Sequence, residues 1–149
     1  MEIKIVWGES EGQTLISSFD KALLKAGIHN FNLIYLSSII PQEAEVREVG
    51  SYKSNHKIGD ILHVVISTIS SDRVGAQISA GLGWVKTKEG GLLFESKGLF
   101  GPQECKEEII KGLSEMMAAR GWEGEIKTKI ISHKVKKIAN VTVAAVYDF

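Results

Sequence analysis

The chain has 149 residues, 44% hydrophobic and 24% charged, the proportions of one compact domain able to bury its own core. Lysine plus arginine equals aspartate plus glutamate at 18 each, which argues against a nucleic-acid partner and against a charged, disordered arm. The single cysteine, Cys105, excludes an internal disulfide and points to a reducing, cytoplasmic setting, and no apolar run reaches the roughly 18 residues of a membrane span, so no membrane partner is expected.

Residues 2 to 7 alternate, with Ile3, Ile5 and Trp7 on one face and Glu2, Lys4 and Val6 on the other, and predict a first strand. Ser10 and Gln13 have the spacing of a capping box, and Leu15, Ile16, Phe19, Ala22, Leu23 and Ala26 then recur at helical spacing as far as Gly27. Phe31 to Leu36 is a second strand by composition, running into Ser37, Ser38, two isoleucines and Pro41. Strands are expected over 60–70, 76–85 and 91–96, with Gly81, Gly83, Gly90 and Gly91 supplying bends and turns. Gly101 and Pro102 open a second helix whose buried side carries Cys105, Ile109, Ile110, Leu113, Met116 and Met117, closed by Gly121. Two more strands, near 125–133 and 140–147, complete an α+β pattern in which each helix covers an outer sheet face.

Five residues stand out chemically. Ser37 and Ser38 are two small hydroxyl residues at the end of an apolar strand, a place where serines ordinarily serve as turn residues. Glu95 shares a strand face with Leu93 and opposes Leu92 and Phe94. If that face is buried, its carboxyl holds a proton nearer neutral pH, as a general acid must; if it meets solvent, Glu95 is an ordinary strand-end charge. Asp20 borders the apolar stripe of the first helix, four residues beyond Ile16, so it is either a solvated flank or a carboxylate able to take two hydrogen bonds from a guanidinium. Asn32 is polar in an apolar strand and needs partners, which the backbone alone can supply. The four histidines, His29, His56, His63 and His133, have no metal-ligand spacing, so no metal is expected.

Taken together, Gly8-Glu9-Ser10-Glu11-Gly12-Gln13-Thr14, Phe19-Asp20, Ala22-Leu23-Leu24, Ala26-Gly27-Ile28, Asn32-Leu33-Ile34 and Leu36-Ser37-Ser38-Ile39-Ile40-Pro41 resemble the pyruvoyl-dependent arginine decarboxylases. Gly91-Leu92-Leu93-Phe94-Glu95 and Arg120-Gly121-Trp122-Glu123 continue the resemblance, which is weakest around Arg47 to Gly59. The resemblance implies a four-layer α/β/β/α sandwich of the pyruvoyl-dependent histidine/arginine decarboxylase type, a single domain over 1–149, assembled as a homotrimer with active sites where two subunits meet. It implies self-cleavage between Ser37 and Ser38 into a β chain (1–37) and an α chain (38–149), the latter headed by a covalent pyruvoyl group made from Ser38. It implies decarboxylation of a small-molecule amino-acid substrate, L-arginine to agmatine and carbon dioxide, with Glu95 delivering a proton to the substrate α-carbon. Asp20 and Ile16 would then bind the substrate's distal end, and Asn32 would assist processing. The alternatives are the same fold with another amino-acid specificity, and an unprocessed, non-enzymatic trimeric binding module.

Overall fold

The computed structural model describes residues 1–149. In chain order the elements are β1 (Glu2–Glu11), α1 (Leu15–Ala26), β2 (Asn32–Tyr35), β3 (Ile39–Ile40), β4 (Glu45–Gly50), β5 (Ile61–Ser71), β6 (Gln77–Lys86), β7 (Gly91–Gly98), α2 (Pro102–Arg120), β8 (Lys127–Lys134) and β9 (Ala139–Asp148). They form a five-stranded sheet in the order β2-β5-β9-β1-β4 and a four-stranded sheet in the order β3-β7-β6-β8. This is the α+β architecture that the alternating apolar runs predict.

The main core joins the two sheets. Ile3, Ile5, Val65, Val143, Ala145 and Tyr147 from the first sheet meet Ile40, Leu82, Trp84 and Leu93 from the second. Because successive strand residues point to opposite faces, the intervening residues Val6, Val64, Ala144 and Val146 turn the other way, where Leu23 and Ala26 of α1 cover them. Strand β9 is therefore buried on both faces, and from Val143 to Val146 its sequence is a continuous apolar run instead of an alternation. On the second sheet, Val85 and Leu92 face Cys105, Ile109, Leu113 and Met117 of α2.

Several local expectations are corrected. Ser10 does not cap α1: β1 continues to Glu11, Ser10 lies in it with its hydroxyl donating to the Ser18 carbonyl, and Thr14 caps the helix in a box with Ser17. Strand β4, which residue pattern alone left unassigned, pairs in parallel with β1; its side chains are largely exposed, so no alternation marks it. Ile110 is 40% exposed and does not belong to the buried face of α2. Gly81 and Gly83 are not bends. A Cβ on Gly83 would lie 2.1 Å from Ile109 Cγ2, and one on Gly81 would lie 2.7 Å from Ile130 Cγ1, so these glycines let α2 and β8 approach the β6 backbone.

Candidate active site

The two serines occupy the crossing between the sheets. Strand β2 runs in parallel beside β5, and the ladder is prolonged by the Leu36 amide donating to the Val64 carbonyl at 2.8 Å. Two residues later the chain belongs to the other sheet: Ile39 and Ile40 pair antiparallel with Leu92 and Gly91 of β7, and the Leu93 amide donates to the Ser38 carbonyl at 2.9 Å. Between these fixed ends Ser38 has φ 71°, and it is the one non-glycine residue with positive φ in the chain. A serine held in the left-handed region costs on the order of 1–3 kcal/mol and persists only where its surroundings over-determine it.

Those surroundings are concrete. Ile40 is 1% exposed in the intersheet core, and the Tyr147 hydroxyl, reaching across from β9, donates to the Ile39 carbonyl at 2.7 Å. Ser37 itself is exposed. A cut between Ser37 and Ser38 leaves both new ends held, the upstream one through Leu36 and the downstream one through Ser38, Ile39 and Ile40. The junction therefore fits a group formed in place on residue 38.

Glu95 lies on β7 two residues beyond Leu93, about 7 Å further along the strand and on the same face. Its registry partner Leu82 and its same-face neighbour Leu93 both belong to the intersheet core, while Leu92 and Phe94 pack toward α2, as alternation predicts. Glu95 keeps solvent access in the isolated chain. Burial by the strand atoms around it nevertheless pushes its carboxyl above the ordinary carboxylate range, with Lys97 pulling weakly the other way. Glu95 thus shares a strand face with Leu93, whose amide holds Ser38, and its proton affinity is raised.

The other predicted residues lie elsewhere. Asp20 and Ile16 share one face of α1 at i, i+4 spacing, both exposed, Ile16 to 80%. Helix α1 packs on the outer side of the five-stranded sheet, whereas exposed Glu95 lies on the other sheet, on the strand face that carries the intersheet-core residue Leu93. One chain does not bring Asp20 and Ile16 against Ser38 and Glu95. Asn32 is also exposed, and its side-chain amide donates to the Gly59 carbonyl at 2.8 Å, so within one chain it stitches the approach to β5. From Asn32 to Leu36 the extended backbone spans about 13 Å, too far for the Asn32 side chain to meet the Ser37 carbonyl of its own chain. The principal surface clefts are lined by other residues, among them Lys86 to Glu89 with Gly121 to Glu123, and Glu11 to Gln13 with Lys21, Lys137 and Ile138.

Two contributors had no sequence signal. The Leu93 amide is a backbone group of an ordinary strand residue, and Tyr147 reads as one more apolar residue at the end of β9. Only the meeting of β3, β7 and β9 reveals them.

The family model described as pyruvoyl-dependent arginine decarboxylase matches residues 2–148. The chain is 40% identical over 143 residues to the pyruvoyl-dependent arginine decarboxylase of Pyrococcus furiosus, covering 94% of this chain and 89% of that one. It is 33% identical over 149 residues to the Methanothermobacter thermautotrophicus protein of the same name (99% and 96% covered) and 31% identical over 150 residues to that of Halobacterium salinarum (97% and 92% covered).

Proposed function

This chain belongs to the pyruvoyl-dependent arginine decarboxylase family, and on that footing we propose that it cleaves itself at Ser37–Ser38 and decarboxylates L-arginine to agmatine. It is a carboxy-lyase whose cofactor is a covalent pyruvoyl group. The observation that carries the assignment of the group to residue 38 is the left-handed Ser38, clamped at its carbonyl by Leu93 where the chain changes sheet.

Processing uses the chain's own atoms. The Ser38 hydroxyl adds to the Ser37 carbonyl carbon, the Ser37–Ser38 C–N bond breaks, and the hydroxyl proton passes to the freed Ser38 nitrogen, leaving an ester. Loss of the Ser38 α-proton and rupture of the ester C–O bond release the Ser37 carboxylate. Water then replaces the nitrogen of the resulting dehydroalanine, with loss of ammonia, to give the α-keto amide. Strain at Ser38 favours the first step, because opening that peptide bond frees the residue from its disfavoured φ.

In turnover the pyruvoyl group supplies the acceptor for the electron pair left when carbon dioxide departs. Glu95, whose carboxyl holds its proton more tightly than an ordinary carboxylic acid because burial raises its pKa, delivers a proton to the substrate α-carbon. The Asp20 carboxylate accepts two hydrogen bonds from the arginine guanidinium, and Ile16 packs against the methylene stem. The two sheets and two helices stack as a four-layer α/β/β/α sandwich of the histidine/arginine decarboxylase type, and three such protomers close into a homotrimer. The exposed Ile16 and Asp20 support this arrangement, because they can meet a Ser38–Glu95 centre only when a neighbouring copy brings one to them. The same holds for Asn32, whose amide would then stabilise the oxygen that gains charge as a neighbour's Ser37 carbonyl is attacked. Arginine is preferred over other amino acids because a carboxylate at the far end of the site rewards a planar, permanently charged fork.

Intact-mass measurement on purified protein tests the reading. Fragments 1–37 and 38–149 are expected, the larger carrying a ketone that borohydride reduces. A single uncut species after prolonged incubation would support the non-enzymatic binding module instead.

A further inference from the structure

The structure assigns Tyr147 as the positioning residue that holds the Ser37–Ser38 junction in its reactive shape, an inference that rests on the self-cleavage reading above. Three hydrogen bonds bracket the junction: Leu36 to Val64 upstream, Leu93 to Ser38 downstream, and Tyr147 to Ile39 immediately beyond. The first two are ladder bonds, each within its own sheet. The third crosses from β9 of the five-stranded sheet to β3 of the other, and so fixes how far apart the two ends of the crossing stand. Tyr147 is suited to this. It is 4% exposed among the intersheet core residues, and the Ile39 carbonyl is the partner its hydroxyl finds there. Burial also pushes its phenol above the ordinary tyrosine value, which keeps it a proton donor.

Without the hydroxyl, strand β3 keeps its two pairs with β7 and the adjoining Leu93–Ser38 bond but loses the hydrogen bond that ties it to β9. The Ile39 carbonyl is then free to swing, and Ser38 relaxes from φ 71° toward extended backbone. The hydroxyl of Ser38 loses its place against the Ser37 carbonyl, because attack requires a preset geometry of the two groups. Tyr147 touches none of the reacting atoms; it acts through the Ile39 peptide.

The test is a time course of intact mass on freshly translated chains of wild type, Tyr147→Phe and Ser67→Ala. Ser67 is a matched control, since its hydroxyl also donates at 2.7 Å from the five-stranded sheet to a carbonyl of the other sheet, that of Ser96, away from the junction. Cleavage of Tyr147→Phe is expected to slow by about tenfold, the worth of one hydrogen bond, with Ser67→Ala within about twofold of wild type. Added hydroxylamine cuts the ester directly, and Tyr147→Phe should stay slow in its presence, because the hydroxyl acts before the ester forms. Equal rates for Tyr147→Phe and wild type, equal slowing in both variants, rescue by hydroxylamine, or a Tyr147→Phe chain that fails to fold would each overturn the assignment. An uncut wild type would instead overturn the cleavage reading on which it rests.

Discussion

The crossing at Ser38 and the outer face of α1 are built on opposite plans. Around Ser38 the strained backbone is tied to named partners in the same chain: Leu93 and Tyr147 hold the carbonyls of Ser38 and Ile39, Ile40 is sunk in the core, and Glu95, though exposed, gains proton affinity from its strand neighbours. On α1, Ile16 is 80% exposed and Asp20 has no hydrogen-bonding partner. Burying an isoleucine side chain is worth about 1.5–3 kcal/mol, and this stabilisation is forgone in the isolated chain. The contrast teaches that one chain by itself fixes the strained Ser37–Ser38 junction, whereas it leaves Ile16 and Asp20 on α1 without partners.

Four substitutions test that contrast, in order of expected effect. Ser38→Ala removes the nucleophile and the source of the ketone, so mass spectrometry should find only intact chain and decarboxylation should vanish. Asp20→Ala should leave fragments 1–37 and 38–149 unchanged and lower kcat/KM for arginine by roughly hundredfold or more, since two charge-assisted hydrogen bonds contribute about 3 kcal/mol or more. Normal arginine kinetics in that variant would remove Asp20 from the site. Glu95→Gln should lower kcat by about a hundredfold with little change in KM, the usual size of a lost general acid. The sign of its pH effect follows from the raised carboxyl pKa. The acid is active while protonated, so wild-type kcat should fall as pH rises through that value, and the falling limb should be missing from the Glu95→Gln profile. Ile16→Ala is expected to leave thermal stability of the isolated chain within about 0.5 kcal/mol, as exposed positions do. It should still raise KM severalfold; a fall in stability of the isolated chain would mean that Ile16 is packed within its own protomer.

Much of the α+β pattern was legible in the residues, because period-2 and period-3.6 patterns of apolar side chains are local properties of the chain. Pro102 and Gly121 bound α2 as read, and the pairing of Leu93 with Glu95 on one face followed from alternation alone. The errors fall where local signals were shared or missing. Ser10 has the look of a helix cap but is held inside β1 by the Ser18 carbonyl, and β4 is a solvated strand recruited by the free edge of β1. Gly81 and Gly83 look like strand breakers, but they make room for a helix that packs on them from far along the chain.

The sequence by itself singled out the candidates for the chemistry: adjacent serines, one carboxylate on an apolar strand, another beside a helix stripe, and a string of short motifs shared with one family. It could not determine that the serine pair spans two sheets, that Ser38 is forced to positive φ, or that a tyrosine more than a hundred residues away in the chain holds the next carbonyl. The reason is physical. Side-chain type and spacing are encoded along the chain, whereas backbone strain and hydrogen bonds between sheets exist only once β3, β7 and β9 have been brought together by burial of the core between them.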